Sequence, residues 1–246
     1  MTTVVRAAAH VHSRWSDDAT WKLPDIASAF GAHGFRVVLL ADHSREFEPS
    51  RLAEYGEACA AASTDQVLLV PGIEYNDPDN VVHVPVWGEV PFYGATPDIT
   101  SLLEKVAVDG GTAVLAHPWR RSAWQRYEAA WTPLLAGVEV WNRKYDGLSP
   151  NRHAAALAAR EGLRPFASVD FHTRRQLFPL SVSLTLDGTA VSRASVERAL
   201  AAGAFEPFFR DRPVTKVLGG VDGLALRAVE TARRKAAPVL RGLRRD

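Results

Sequence analysis

Six of the eight histidines in this 246-residue chain fall at the ends of apolar runs, and carboxylates close several of the same runs. The runs are VVRAAAHVH (His10, His12), VVLLADH (Asp42, His43), VLLVPGIE (Glu74), VVHVPVWG (His83), TAVLAHP (His117) and PFASVDFH (Asp170, His172). Imidazole and carboxylate together suit Zn, Mn or Fe, and a single thiol, Cys59, argues against a structural zinc knot. One histidine beside a strand is more often a hydrogen-bonded core residue, so the joint pattern carries the reading: a multi-metal hydrolase. His10-Val11-His12 alternates along an extended strand, which puts both imidazoles on one side. Asp17 follows on the loop that leaves that strand. His33 and His153 fall in helical patterns and are left out of the site.

The elements that must position these donors alternate along the chain. β-rich runs at about 3–9, 36–41, 67–73, 81–87, 112–116, 137–141, 164–169 and 180–186 read as strands buried on both faces. Helical patterns separate them. One opens at Leu23-Pro24 and stops near Gly34; others span about Pro49–Ala62, Ile99–Val108 and Arg193–Ala202, and one runs from Ser149-Pro150 to Gly162. This βαβα rhythm predicts a parallel sheet with helices outside, and strands of this length and number close most naturally into a barrel. Barrels of this kind place their chemistry at the C-terminal ends of the strands. The Pro-, Gly- and aromatic-rich stretch 84–98 is expected to lie over one barrel mouth.

The ordered motifs resemble the PHP (polymerase and histidinol phosphatase) family of metal-dependent phosphoesterases. The resemblance rests on His10-Val11-His12 with Ser16-Asp17, Ala41-Asp42-His43, Gly72-Ile73-Glu74, His83 before Gly88, Ala116-His117-Pro118, Glu139-Val140-Trp141-Asn142 and Asp170-Phe171-His172. It runs from about residue 4 to 209, with Asp18 where the family has Gly and one extra residue in Ser168-Val169-Asp170. It implies a distorted (β/α)7 barrel holding two to three divalent transition metals, Mn, Fe or Zn, at the C-terminal mouth. Carried over to this sequence, His10, His12, Glu74 and Asp170 would hold the first ion. Asp17, His43 and His172 would hold the second, and Glu74, His83 and His117 the third, with Glu74 bridging.

Residues around these donors suggest the rest of the site. Asp42, beside His43, is a candidate partner for a ligand imidazole and is grouped with Arg120 and Arg174 as candidate catalytic residues. Arg14, Arg45, Arg121, Asn142, Arg143 and Arg175 follow strands or ligands and are candidates for gripping an anionic substrate. Each arginine taken alone reads equally as a solvated loop residue. Cys59 sits in a helical pattern and reads as packing.

Composition bounds the alternatives. A net charge of +1 gives no general case for nucleic acid or an acidic membrane surface, so a small phosphoester is expected and nucleic acid is not favoured. No apolar run approaches the roughly 20 residues that cross a bilayer. The start, MTTVVRAAAH, enters a strand with no signal-peptide core, so a cytoplasmic protein is expected. Residues 1–222 read as the barrel, and 223–246, with seven basic residues against Glu230 and Asp246, as a solvated helix broken near Pro238. Three rivals remain: a nuclease acting on oligonucleotides, an amidohydrolase-like barrel cleaving an amide or lactone, and a non-catalytic metal-binding module. The amidohydrolase pattern wants a bridging lysine after a middle strand, and Glu74 stands there instead.

Overall fold

The computed structural model describes residues 1–242. The first half builds β1 (Thr2–Val11), α1 (Leu23–Ala32), β2 (Val37–Leu40), β3 (Asp42–His43), α2 (Pro49–Ala62), β4 (Leu68–Val70), β5 (Gly72–Asn76), β6 (His83–Trp87) and α3 (Ile99–Val108). The second half adds β7 (Thr112–Leu115), β8 (Gly137–Asn142), α4 (Arg152–Glu161), β9 (Pro165–Ser168), β10 (Leu180–Asp187) and α5 (Arg193–Ala201). It ends with β11 (Phe205–Phe209), β12 (Arg212–Pro213), α6 (Val214–Gly219) and α7 (Val221–Gly242). This is a mixed α/β architecture with two six-stranded sheets, ordered β12-β11-β10-β1-β2-β4 and β3-β5-β6-β7-β8-β9.

Only Ala41 separates β2 from β3, and only Pro71 separates β4 from β5, so the same chain segments pass from one sheet into the other. On the far side, Val169 N–H donates to Ala9, Phe171 N–H to His10, and His12 N–H to Phe171, which ties the segment after β9 to β1. Strand β2, VVLL, is buried at every position, as its uninterrupted apolar sequence requires. Each such Val or Leu withdrawn from water contributes about 1.5–3 kcal/mol. Trp87, buried between the sheets, donates its indole N–H to Leu40 O at 2.7 Å.

Three features differ from the sequence reading. Strand β6 runs antiparallel to both β5 and β7, with no helix before it. The reversal is made by Asp77, whose carboxylate accepts from Val81 and Val82 N–H, in the turn-rich segment Asn76-Asp77-Pro78-Asp79-Asn80. His83 therefore opens its strand, unlike the other donors, yet faces the same end of the molecule as Glu74. In the stretch 84–98, residues 84–87 belong to β6 and the rest lies outside any strand. The remainder packs along Tyr75, whose hydroxyl accepts from Tyr93 N–H, and Ala95 O accepts from Ser44 Oγ, before Asp98 caps α3. Finally, α7 continues through Pro238; residues 243–246 of the basic tail lie outside the described residues. No described helix is long and apolar enough to cross a membrane.

Candidate metal centre

Strand ends place the donors, and strained backbone aims them. At His10 the β1–β2 register skips a residue, and the backbone turns left-handed (φ 59°). His117 (φ 24°) and Asp170 (φ 45°) are left-handed too. Such conformations cost non-glycine residues of order 1–3 kcal/mol each and persist where the surroundings enforce them, commonly at functional sites.

Glu74 is the hub. Its Oε1 lies 3.0 Å from His10 Nε2, 3.0 Å from His83 Nδ1 and 3.2 Å from His117 Nε2. Its Oε2 lies 3.1 Å from His43 Nδ1 and 3.7 Å from His12 Nε2. Asp170 reaches His172 Nδ1 at 3.3 Å and His12 Nε2 at 3.6 Å. All of these side chains are buried. Donor atoms within 4.8 Å of one another form four overlapping sets: His10, His12, Glu74; Glu74, His83, His117; His10, His117, Asp170; and His12, Asp18, His43, His172.

The hydrogen bonds decide which nitrogen each ring can offer a metal. His10 Nδ1 lies 2.8 Å from the Glu139 carboxylate, which can only accept. Ser16 spends its one hydroxyl hydrogen on Asp42 Oδ1 at 2.6 Å, so at 3.2 Å from His12 Nδ1 it must accept. Asn80 Oδ1 sits 2.6 Å from His83 Nε2, and Asp18 lies 3.2 Å from His43 Nε2. In the neutral ring, Glu139 and Ser16 place a hydrogen on the outer nitrogen of His10 and His12 and leave the inner lone pair free. His83 Nε2 lies between Asn80 Oδ1 and the Arg120 guanidinium, and Asp18 is shared between His43 Nε2 and His172 Nε2. The inner nitrogens, His10 Nε2, His12 Nε2, His43 Nδ1 and His83 Nδ1, are buried without a hydrogen-bond partner. Four buried ring nitrogens crowded on one carboxylate form a donor set that fits divalent transition ions.

The charges have clear physical causes. Burial depresses the His10 pKa, but Glu74, Asp170 and Glu139 outweigh it and hold the ring well above its ordinary value. His43 is likewise disfavoured by burial and lifted to about 9 by Asp18 and Glu74. His12 is held well down by burial and by its neighbours His172 and His43, and His83 falls to about 4 chiefly through burial. Asp170, despite burial, is pulled to about 2 by His10 and Lys144.

Several sequence candidates stand elsewhere. Asp17 is exposed and pairs with Arg45 at 2.6 Å; its neighbour Asp18 faces His43 and His172, at 3.2 and 3.1 Å. The loop after His12 turns the second of two consecutive carboxylates inward. Asp42 touches no imidazole; it accepts from Ser13 N–H, Ser13 Oγ, Ser16 Oγ and Tyr55 OH, and burial raises its pKa. It acts on His12 through Ser16. Asn142 is buried and committed to holding Glu139, Ser168 and Asp170, so it has no side-chain hydrogen left for a substrate. Arg143 is half-buried and packs over Phe178, 4.9 Å from the ring centroid. Arg14, Arg174 and Arg175 are exposed. Arg120 reaches the cluster: Nη1 is 3.0 Å from His83 Nε2, and Nε donates to Tyr145 OH at 3.0 Å. Arg121, exposed beside it, donates to Asn80 O at 3.3 Å.

Glu139 and Tyr145 were not among the candidate site residues. Glu139 also accepts the His117 N–H at 2.8 Å, and an acid inside a buried strand was its available signal. Lys144 Nζ stands 2.9 Å from His172 Nε2 and 3.6 Å from Asp170. Tyr145 lies edge-on to the His117 ring, centroids 4.7 Å apart.

No family model matches the chain, and no curated protein matches it. Solved structures do. A two-domain protein from Bacteroides vulgatus containing a predicted PHP-like metal-dependent phosphoesterase superposes with a TM-score of 0.60 at 16% identity, over 86% of this chain and 66% of that one. The chain has the fold of that PHP-like phosphoesterase. It spans just under two thirds of the two-domain protein's length. PsfC from Pseudomonas syringae PB-5123 matches over 96% of this chain and 99% of its own, with a TM-score of 0.57 and 15% identity. The lesion-specific endonuclease PfuEndoQ from Pyrococcus furiosus matches over 81% of this chain and 56% of its own, at 0.58 and 14%.

Proposed function

We propose that this chain is a metal-dependent phosphoesterase acting on a small phosphate ester. We read its strands as a distorted (β/α)7 barrel of the PHP type over residues 1–222, with 223–246 as a basic addition. The observation that carries the reading is the set of four buried imidazole nitrogens gathered on Glu74, with His10 and His12 each held by an acceptor behind the ring. Two or three Mn, Fe or Zn ions would be held by His10, His12, Glu74 and Asp170; by Asp18, His43 and His172; and by Glu74, His83 and His117. Bound ions would supply Lewis acidity toward phosphoryl oxygens and a hydroxide nucleophile at neutral pH.

The chain's own residues do the rest. Glu139 and Ser16 hold His10 and His12 in the tautomer that faces inward. Asn142 donates to Asp170 Oδ2 at 3.0 Å and fixes that carboxylate. Arg120 and Lys144 flank Tyr145, 5.6 and 5.5 Å from its ring centroid, and would take phosphoryl oxygens from the open side. Arg174 and Arg175 follow His172 on an exposed turn and can add a contact as substrate enters. A small substrate is favoured over a polynucleotide because two basic residues of α7, Arg233 and Arg234, are engaged with Glu230.

The test is a panel of phosphate mono- and diesters offered to the Mn²⁺-loaded protein beside amides, lactones and single-stranded oligonucleotides. Turnover of small phosphoesters, abolished in Glu74→Gln, is expected. Cleavage confined to amides or lactones, or to oligonucleotides, would sink the reading.

A further inference from the structure

A cleft of about 930 Å³ opens beside the donor cluster, between the 119–121 turn, the loop and helix start at 145–153, and α7. Two residues belong to both places. Arg120 lines the cleft and lies 3.0 Å from His83 Nε2; Tyr145 lines it and packs on His117. These two residues, hydrogen-bonded to each other at 3.0 Å, form the wall that the cluster and the cleft share.

The cleft is strongly cationic once its own bonds are counted. Its carboxylates are both occupied. Asp146 accepts from Asn142 N–H and Asn151 Nδ2, and burial lifts its pKa to about 6. Glu230 accepts from Leu148 N–H, Arg233 and Arg234. Among the described residues no carboxylate pairs with Arg121, Arg152 or Arg227; Arg121 and Arg227 reach only the backbone oxygens of Asn80 and Leu218. A flat surface accompanies these charges. Trp119 and His153, both lining the cleft, stack at an interplanar angle of 21° with centroids 5.6 Å apart.

Helix α7 is a built wall. Glu230 is buried and seated over Gly147, which is left-handed (φ 77°) and has no room for a Cβ beside that carboxylate. Arg234 donates to Tyr145 O and Asp146 O, both at 3.1 Å. The C-terminal segment thus clamps the loop that carries Lys144 and Tyr145 to the cluster.

We propose that this cleft receives the leaving-group end of the substrate and selects a flat ring bearing a second anionic group. The proposal rests on the phosphoesterase reading only for what occupies the cluster end. Its arginines supply charge-assisted hydrogen bonds to the second anion, and Trp119 with His153 supplies the face for the ring.

The test is calorimetric binding of two non-hydrolysable ligands to the full chain loaded with Mn²⁺. Phenylphosphonate and 4-phosphonobenzoate differ only in a ring carboxylate. The carboxylate should tighten binding about tenfold or more, as expected for a charge-assisted contact. Arg152→Ala with Arg227→Ala should bring the ratio close to one. Arg152 is exposed, so Arg152→Gln alone, which should lower the ratio, serves if the double variant melts early. Equal affinities in the native protein, or an undiminished preference in the variants, would overturn the proposal. A preserved preference in a protein that cleaves no phosphoester would instead sink the phosphoesterase reading and leave the cleft standing.

Discussion

Replacing Glu139 with Gln tests the tautomer argument at its most exposed point. Glu139 Oε2 accepts from His117 N–H and Asn142 Nδ2, both at 2.8 Å, and a glutamine can meet two donors there only with its carbonyl oxygen. Its amide NH₂ then faces His10 Nδ1 across the 2.8 Å contact now made by Oε1. His10 must accept at Nδ1 and carry its hydrogen on Nε2, 3.0 Å from Glu74. The lone pair that should meet a metal is thereby closed off, although shape and the other two hydrogen bonds survive. Losing a partner of this type costs about 10–100-fold in metal affinity, or about 1.4–2.7 kcal/mol. Competition calorimetry with a chelator measures the affinity, and thermal unfolding with and without Mn²⁺ measures the coupling. The melting point of the loaded protein should fall far more than that of the chelator-treated one. Metal affinity equal to the native protein's would refute the account of how these rings are set.

Three further outcomes are expected. Asp18→Asn should weaken metal binding at least about tenfold, whereas Asp17→Asn should cost only the roughly 0–1 kcal/mol of an exposed ion pair with Arg45; the reverse order would return the ligand role to Asp17. In the metal-free protein, stability should peak near pH 6.5. Below it the unfolded chain protonates while His83, held to about 4, does not; above it His43, held to about 9, keeps a proton the unfolded chain has lost, so unfolding free energy should fall on both sides. A monotonic profile in chelator from pH 4.5 to 9 would contradict those two environments, and loading with metal should release protons and strengthen with rising pH. Tyr55→Phe leaves Asp42 one donor short in a fully buried pocket and should cost about 1–3 kcal/mol in denaturant unfolding; an unchanged midpoint would show that Ser13 and Ser16 suffice.

Strand-end chemistry was legible because a His or Glu that closes a buried apolar run must find a buried partner, and eight of the nine donors so named converge on Glu74 and Asp170. Asp17 was the exception. Two adjacent acids in an irregular loop carry no periodicity, so nothing in Ser16-Asp17-Asp18 says which one turns inward. The antiparallel course of β6 was encoded in Asn76-Asp77-Pro78-Asp79-Asn80, a turn signal outvoted by the prevailing βαβ rhythm. Asn142 and Arg143 illustrate a different limit: neighbours on a strand point to opposite faces, and the bulge between Glu139 and Trp141 resets which face is which. The docking of α7 was invisible. Glu230 lies among basic residues in a helix pattern, and its burial over Gly147 depends on a contact across more than 80 positions.

The central claim is a multinuclear centre, and its most direct measurement is the metal content of the protein by mass spectrometry after purification without chelator and reconstitution with Mn²⁺, Fe²⁺ or Zn²⁺. Two to three tightly held transition ions per chain are expected, falling sharply in Glu74→Gln because that carboxylate faces five of the six clustered rings. One ion or fewer in the native protein after reconstitution, or a Glu74→Gln variant that keeps the full complement, would contradict it.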